Sequence, residues 1–108
     1  MIDVFQAVAD PTRRSILEHL RADGPLSITA LSEPLSMTRQ AVTKHLAVLE
    51  EAGLIRKTVR GRERIHQLRA EPLKALDDWL SPYSEAWDER LHRLKTYLNG
   101  GDDDRPNR

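Results

Sequence analysis

Cysteine is absent from this 108-residue chain. A disulfide scaffold, a thiol nucleophile, a zinc–thiolate site and a thiol redox switch are therefore excluded. No apolar run approaches the roughly 18 residues that a membrane span requires, so no transmembrane segment is expected. The opening residues, Met1-Ile2-Asp3-Val4, lack a basic stretch followed by an apolar one, so no secretory signal is expected and the cytoplasm is the default location. No segment repeats, and neither a glycine-rich phosphate loop nor a nucleophile elbow occurs. His19, His45, His66 and His92 are scattered, and adjacent Asp77 and Asp78 would point about 100° apart on a helix. That is poor geometry for a shared acid–base site, so neither an enzyme nor a cofactor is expected.

What is present suits one small soluble domain. The chain is 39% hydrophobic and 31% charged, enough to fold, with a thin core that gains from a partner. Its net charge is zero, but unevenly spread. Residues 36–69 hold eight Lys or Arg against three acids, while residues 1–35 and 70–108 are both net acidic. The basic block fits a footprint for a polyanion, or a solvated basic face.

Ile2, Val4, Phe5 and Val8 predict an N-terminal helix of about two turns. Asp10-Pro11 then reads as an N-cap and first helical residue, with Ile16, Leu17 and Leu20 facing inward and Gly24-Pro25 ending the helix. Ser27 caps a third helix with Ile28, Leu31 and Leu35 inside. A fourth helix spans residues 38–52, striped by Val42, Leu46 and Leu49 and closed at Gly53. Two short runs, 55–60 and 63–68, joined at Gly61, predict a hairpin. Leu73, Leu76, Leu80, Tyr83, Trp87, Leu91, Leu94 and Leu98 then recur at helical spacing. Ser81-Pro82 reads as a fresh N-cap and start, so two helices, or one with a kink, are expected there. Residues 99–108 contain no apolar side chain and are expected to be a disordered tail. The expected fold is mainly α with a small β-hairpin: a winged helix-turn-helix over residues 1–98. The helix-turn-helix falls at about 27–53, the wing at 54–69 and the C-terminal helices at 71–98.

In the fourth helix, Thr38, Arg39, Gln40, Thr43 and Lys44 crowd the N-terminal half, opposite the leucine stripe. Helix-turn-helix readers present that half to base edges, where Arg suits guanine and Gln suits adenine, while Thr and Lys reach bases or phosphates. A capped, solvated surface helix is the other reading. The hairpin carries Arg56, Lys57, Arg60, Arg62, Arg64 and Arg69 against Glu63 alone. Such an arm can follow a phosphate backbone or enter a minor groove. Its arginines also blunt an exposed sheet edge.

Three stretches closely resemble the ArsR/SmtB family of bacterial transcriptional repressors. They are Asp10-Pro11-Thr12-Arg13-Arg14-Ser15-Ile16-Leu17, Gln40-Ala41-Val42-Thr43-Lys44-His45-Leu46 and Leu49-Glu50-Glu51-Ala52-Gly53-Leu54-Ile55. The resemblance spans roughly residues 1–98. It implies a winged helix-turn-helix homodimer on double-stranded operator DNA, near its own promoter. It places Gln40, Thr43, Lys44 and His45 in the recognition-helix motif and Arg60, Arg62 and Arg64 in the wing. His45 lies one residue off the outermost face, so a structural role competes with a phosphate contact. Arg13 and Arg14 read as solvated or structural, with a phosphate contact as the lesser alternative.

Many members of that family release DNA when a metal binds, through thiolates on the helix-turn-helix or an Asp-x-His with a later His. This chain has no thiolate, and Asp77-Asp78-Trp79 puts Trp where the His would stand. Glu85, Asp88, Glu89 and His92 are a remaining candidate for an ion, but they face away from the Trp87 stripe, and no metal is expected. The Trp79–Tyr83 and Trp87 arrangement resembles a metal-independent branch. Leu73, Leu76 and Leu80 are expected to pack inward. Trp87, Leu91, Leu94 and Leu98, with Val4, Phe5 and Val8, are expected to meet a second copy. The alternative is a winged-helix module that binds a protein partner and DNA only weakly. The sequence carries no signature of an inducing ligand.

Overall fold

Asp3 opens the first element, α1 (Val4–Ala7), through a reciprocal capping box. Gln6 N donates to Asp3 Oδ1 at 2.9 Å, and Asp3 N donates to Gln6 Oε1 at 3.1 Å. The helix is one turn, not the two expected from the apolar spacing. The reason lies in the next element. Arg13 donates from Nε to the Ala7 carbonyl at 2.8 Å and from a terminal nitrogen to the Gln6 carbonyl at 3.1 Å, and Arg14 donates to the Val8 carbonyl at 2.8 Å. Guanidinium groups thus take carbonyls at the end of α1, where a longer helix would have used its own N–H groups.

Helix α2 (Pro11–Asp23) begins as expected, with the Asp10 carboxylate accepting from Arg13 N and Pro11 at the first position, and stops at Gly24, whose φ is 81°. The structure is a computed structural model, and it describes residues 2–98; the expected disordered tail lies outside them. Strand β1 (Leu26–Ser27) was not anticipated, because two residues carry no readable alternation. Ser27 also caps α3 (Ile28–Leu35). The chain turns at Ser36, which holds a left-handed φ of 54°, and Thr38 caps α4 (Arg39–Glu51).

Strands β2 (Ile55–Arg60) and β3 (Glu63–Leu68) pair antiparallel as expected, and β1 joins the far side of β3, giving the order β1-β3-β2. The core gathers Val4 and Ala7 of α1, Ile16 and Leu20 of α2, Leu31 of α3, the Val42/Leu46/Leu49 stripe of α4, and Leu54 with Ile55 entering the sheet.

Helix α5 (Leu73–Leu98) is continuous. Pro82 sits inside it, so the fresh N-cap expected at Ser81 does not form. The apolar residues keep helical phase on both sides of Pro82, so one continuous helix presents them all on a single stripe. The described residues group into two compact units, one ending at Leu76 and the other beginning at Asp77. Leu73 and Leu76 pack against the core of the first. Leu80, expected inward, is instead 45% exposed. In the second unit, Trp79, Tyr83, Trp87, Leu91, Leu94 and Leu98 are all exposed, and the Trp79 and Tyr83 rings tilt together at 5.3 Å. No helix among the described residues is long and apolar enough to cross a membrane.

Candidate nucleic-acid interface

The N-terminal half of α4 is solvent-facing because its other face supplies Val42 and Leu46 to the core. Arg39, Gln40, Thr43 and Lys44 line an open concavity of about 700 Å³ over Ile28. A second cleft, of about 360 Å³, is lined by Ser27, Ile28 and Thr29 at the start of α3, by Arg39, and by Arg62, Glu63 and Arg64 of the wing. Arg39 and Ile28 belong to both, so the reading helix and the wing form one surface. Three guanidinium groups against one carboxylate, beside two helix N-termini, make that surface suited to phosphate.

Sequence reasoning missed the start of α3. Ser27 and Thr29 reach the cleft because β1 pins Leu26 and Ser27 opposite His66 and Ile65. The only local signal was Ser27 as a cap.

The remaining expected site residues differ in what their side chains are free to do. Thr38 is exposed, but its hydroxyl accepts from Ala41 N at 3.1 Å and is committed to capping. Thr43 donates its hydroxyl proton to the Arg39 carbonyl at 2.8 Å, so the hydroxyl is left as an acceptor only. Arg60 pairs with Glu63, whereas Arg64 pairs with Val59 one position further along. Consecutive residues of a strand alternate faces, so Arg60 and Arg64 lie on opposite faces of the hairpin. Arg62 and Arg64 line the cleft; Arg60 does not.

His45 is half-buried on the far side of α4 from the concavity, with Nδ1 at 3.5 Å from an Arg13 guanidinium nitrogen and 3.9 Å from Asp10 Oδ2. Of its two expected roles, these neighbours favour the structural one over the phosphate contact. Asp10 is held below the usual carboxylate range, chiefly by the hydrogen bond from Arg13 N and further by the nearby His45 and Arg13 charges. Val4 is only 7% exposed, so it belongs to the core rather than to an outer face; Phe5 is 40% exposed and Val8 packs partly against the core.

His66 is buried under the wing, opposite Leu26 on β1 and Lys57 on β2. Burial pushes its imidazole below the usual histidine value, against a backbone hydrogen bond at Leu26 and the Glu50 charge. Among the described residues, no group of three or more His, Asp or Glu side chains converges to hold a metal ion.

A family model for a helix-turn-helix domain matches residues 8–58. The chain is 42% identical over 79 residues to an uncharacterized HTH-type transcriptional regulator, YuzN, of Bacillus subtilis, covering 68% of this chain and 86% of that protein. It is similar to an ArsR-like transcriptional regulator from Rhodococcus sp. RHA1, at 35% identity and a TM-score of 0.63, over 87% of this chain and 88% of that one. A homodimeric winged helix-turn-helix DNA-binding domain from Mycobacterium bovis shares the fold at 24% identity and a TM-score of 0.61, over 82% and 78% of the two chains. The fold and these similarities agree with the three motifs. This chain belongs to the ArsR/SmtB family of winged helix-turn-helix transcriptional regulators, which are DNA-binding proteins and not enzymes.

Proposed function

We propose that the protein is a homodimeric, sequence-specific repressor or autorepressor that binds an inverted-repeat operator in the bacterial cytoplasm. The observation that carries this reading is the shared surface at Arg39, where the start of the reading helix and the wing tip meet around one cleft. Arg39, Arg62 and Arg64 would hold backbone phosphates, as would Lys44 at the rim of the concavity. Gln40 and Thr43 would read bases. Gln40 suits adenine, and the Thr43 methyl group, its hydroxyl proton already committed to Arg39, suits the methyl group of thymine.

The dimer rests on α5. Trp87, Leu91, Leu94 and Leu98 present an apolar stripe to water, and a small domain with a thin core is stabilised by covering it. Phe5, half-exposed on α1, is a separate candidate for the same contact. The Mycobacterium bovis domain of the same fold is itself homodimeric. Two reading helices on a twofold axis would sit about one DNA turn apart, roughly 34–36 Å.

Selection of bound duplexes from a random pool, repeated at two salt concentrations, tests this reading. An inverted repeat with half-site centres about one turn apart, persisting at the higher salt, is the expected result. No enriched motif, with binding that vanishes as salt rises, would replace it with a protein-interaction module.

A further inference from the structure

The DNA-reading helix is tied to the N-terminal segment at two points, neither on the proposed DNA face. The first is near its C-terminus, where Ile2 N donates to Glu51 Oε2 at 3.2 Å. The second is at mid-helix. There the Arg13 guanidinium spends two groups on the Ala7 and Gln6 carbonyls and directs a third nitrogen toward His45 Nδ1 at 3.5 Å. Arg13 is itself anchored, because its backbone N–H donates to Asp10 Oδ2 at 3.0 Å, and Asp10 Oδ2 lies 3.9 Å from the same His45 nitrogen. The Arg13 guanidinium of α2 therefore joins the end of α1 to the His45 imidazole of α4.

The fork of a guanidinium can satisfy three acceptors in fixed directions, which a lysine cannot. His45 is on the recognition helix, one residue after Lys44, and its ring is turned away from the concavity that Lys44 lines. From that linkage we infer that Arg13, Asp10 and His45 are positioning residues for DNA recognition: they set the rotation and seat of α4, and so the aim of Gln40 and Thr43, without touching DNA. The inference rests on the proposed DNA-binding function of α4.

The test uses the full chain and two probes, a duplex recovered by selection with the unaltered protein and a mixed-sequence duplex of equal length. His45→Ala and Arg13→Ala are each expected to weaken binding to the selected duplex, by roughly tenfold, while mixed-sequence binding and the salt slope stay at the parent's values. The double variant should bind no worse than the weaker single one, because both remove the same contact. His45→Gln, whose side-chain oxygen can accept from Arg13, should recover most of the loss, and it stands in if Arg13→Ala does not fold. A salt slope reduced by about one in His45→Ala would make His45 a phosphate contact and overturn the inference. A lowered Tm with unchanged affinity for the selected duplex would also overturn it, leaving the three residues a purely structural role. If the unaltered protein binds neither duplex, the DNA-binding reading itself fails, and the inference with it.

Discussion

Arg60 and Arg64 lie four residues apart at the tip of one hairpin, yet on opposite faces, Arg60 across from Glu63 and Arg64 across from Val59. Of these two, Arg64 lines the cleft with Arg39 and Arg62, and Arg60 does not. Arg64→Ala should therefore weaken duplex binding and lower the salt slope by about one. Arg60→Ala should change either quantity much less. Titrations over a range of salt concentrations separate the two, and equal losses would mean that the arm engages DNA through both faces.

On α4 the same measurement splits affinity from selectivity. Lys44→Ala should weaken binding to all duplexes and flatten the salt slope. Gln40→Ala should instead relax preference at one base pair of each half-site, a discrimination of about 1–3 kcal/mol for a good bidentate contact. Repeating the duplex selection with each variant checks both outcomes.

Ser36 turns the chain between α3 and α4 with a left-handed φ of 54°, and it is the one such non-glycine residue among those described. That conformation costs an L-residue about 1–2 kcal/mol, while glycine loses more freedom on folding. Ser36→Gly should leave a net stabilisation of roughly 0.5–1 kcal/mol, read as a higher urea midpoint with unchanged slope.

His66 makes stability depend on pH in a known direction. Its folded-state value is lowered by burial, so below the usual value of about 6.5 the unfolded chain binds a proton that the folded chain resists. The contribution is present above that value and is lost as pH falls toward the folded-state one. Thermal unfolding at pH 7.5 and 5.5 should show a smaller loss for His66→Leu than for the parent.

On α5, Leu94→Glu puts a charge in the middle of an exposed apolar stripe. Sedimentation should find the variant monomeric at concentrations where the parent is a dimer, with helix α2 and the wing unaffected by circular dichroism and by amide exchange. A dimer that survives Leu94→Glu and Trp87→Asp together would move the contact to another surface, such as that around Phe5.

Much of this fold is legible in the sequence because single residues punctuate it. Asp10-Pro11, Ser27, Thr38 and Gly53 mark helix ends, and Gly61 marks the hairpin turn, through local hydrogen bonds or a positive φ that need no distant partner. The features that escaped depend on distant partners. The length of α1 is set by arginines of the next helix, β1 exists only by pairing with β3, and Pro82 is carried by a helix that stays in phase on both sides. The candidate site divides in the same way. Exposure of Arg39, Gln40, Thr43 and Lys44 follows from the period of their own helix. The inward turn of His45 and the split between Arg60 and Arg64 follow from Asp10, Arg13 and strand register, which spacing alone does not report.

Strand β1 reaches β3 only at Ile65 and His66. Beyond that contact, Arg64 and Glu63 pair only with Val59 and Arg60 of β2, and the turn at Gly61 and Arg62 closes the arm. Near its tip the arm is thus held in the sheet by one neighbouring strand, and at its base by two. Duplexes differ in groove width with sequence. In the proposed complex, the singly held tip would let the cleft arginines follow that variation along the backbone, while the doubly held base keeps its place beside the reading helix.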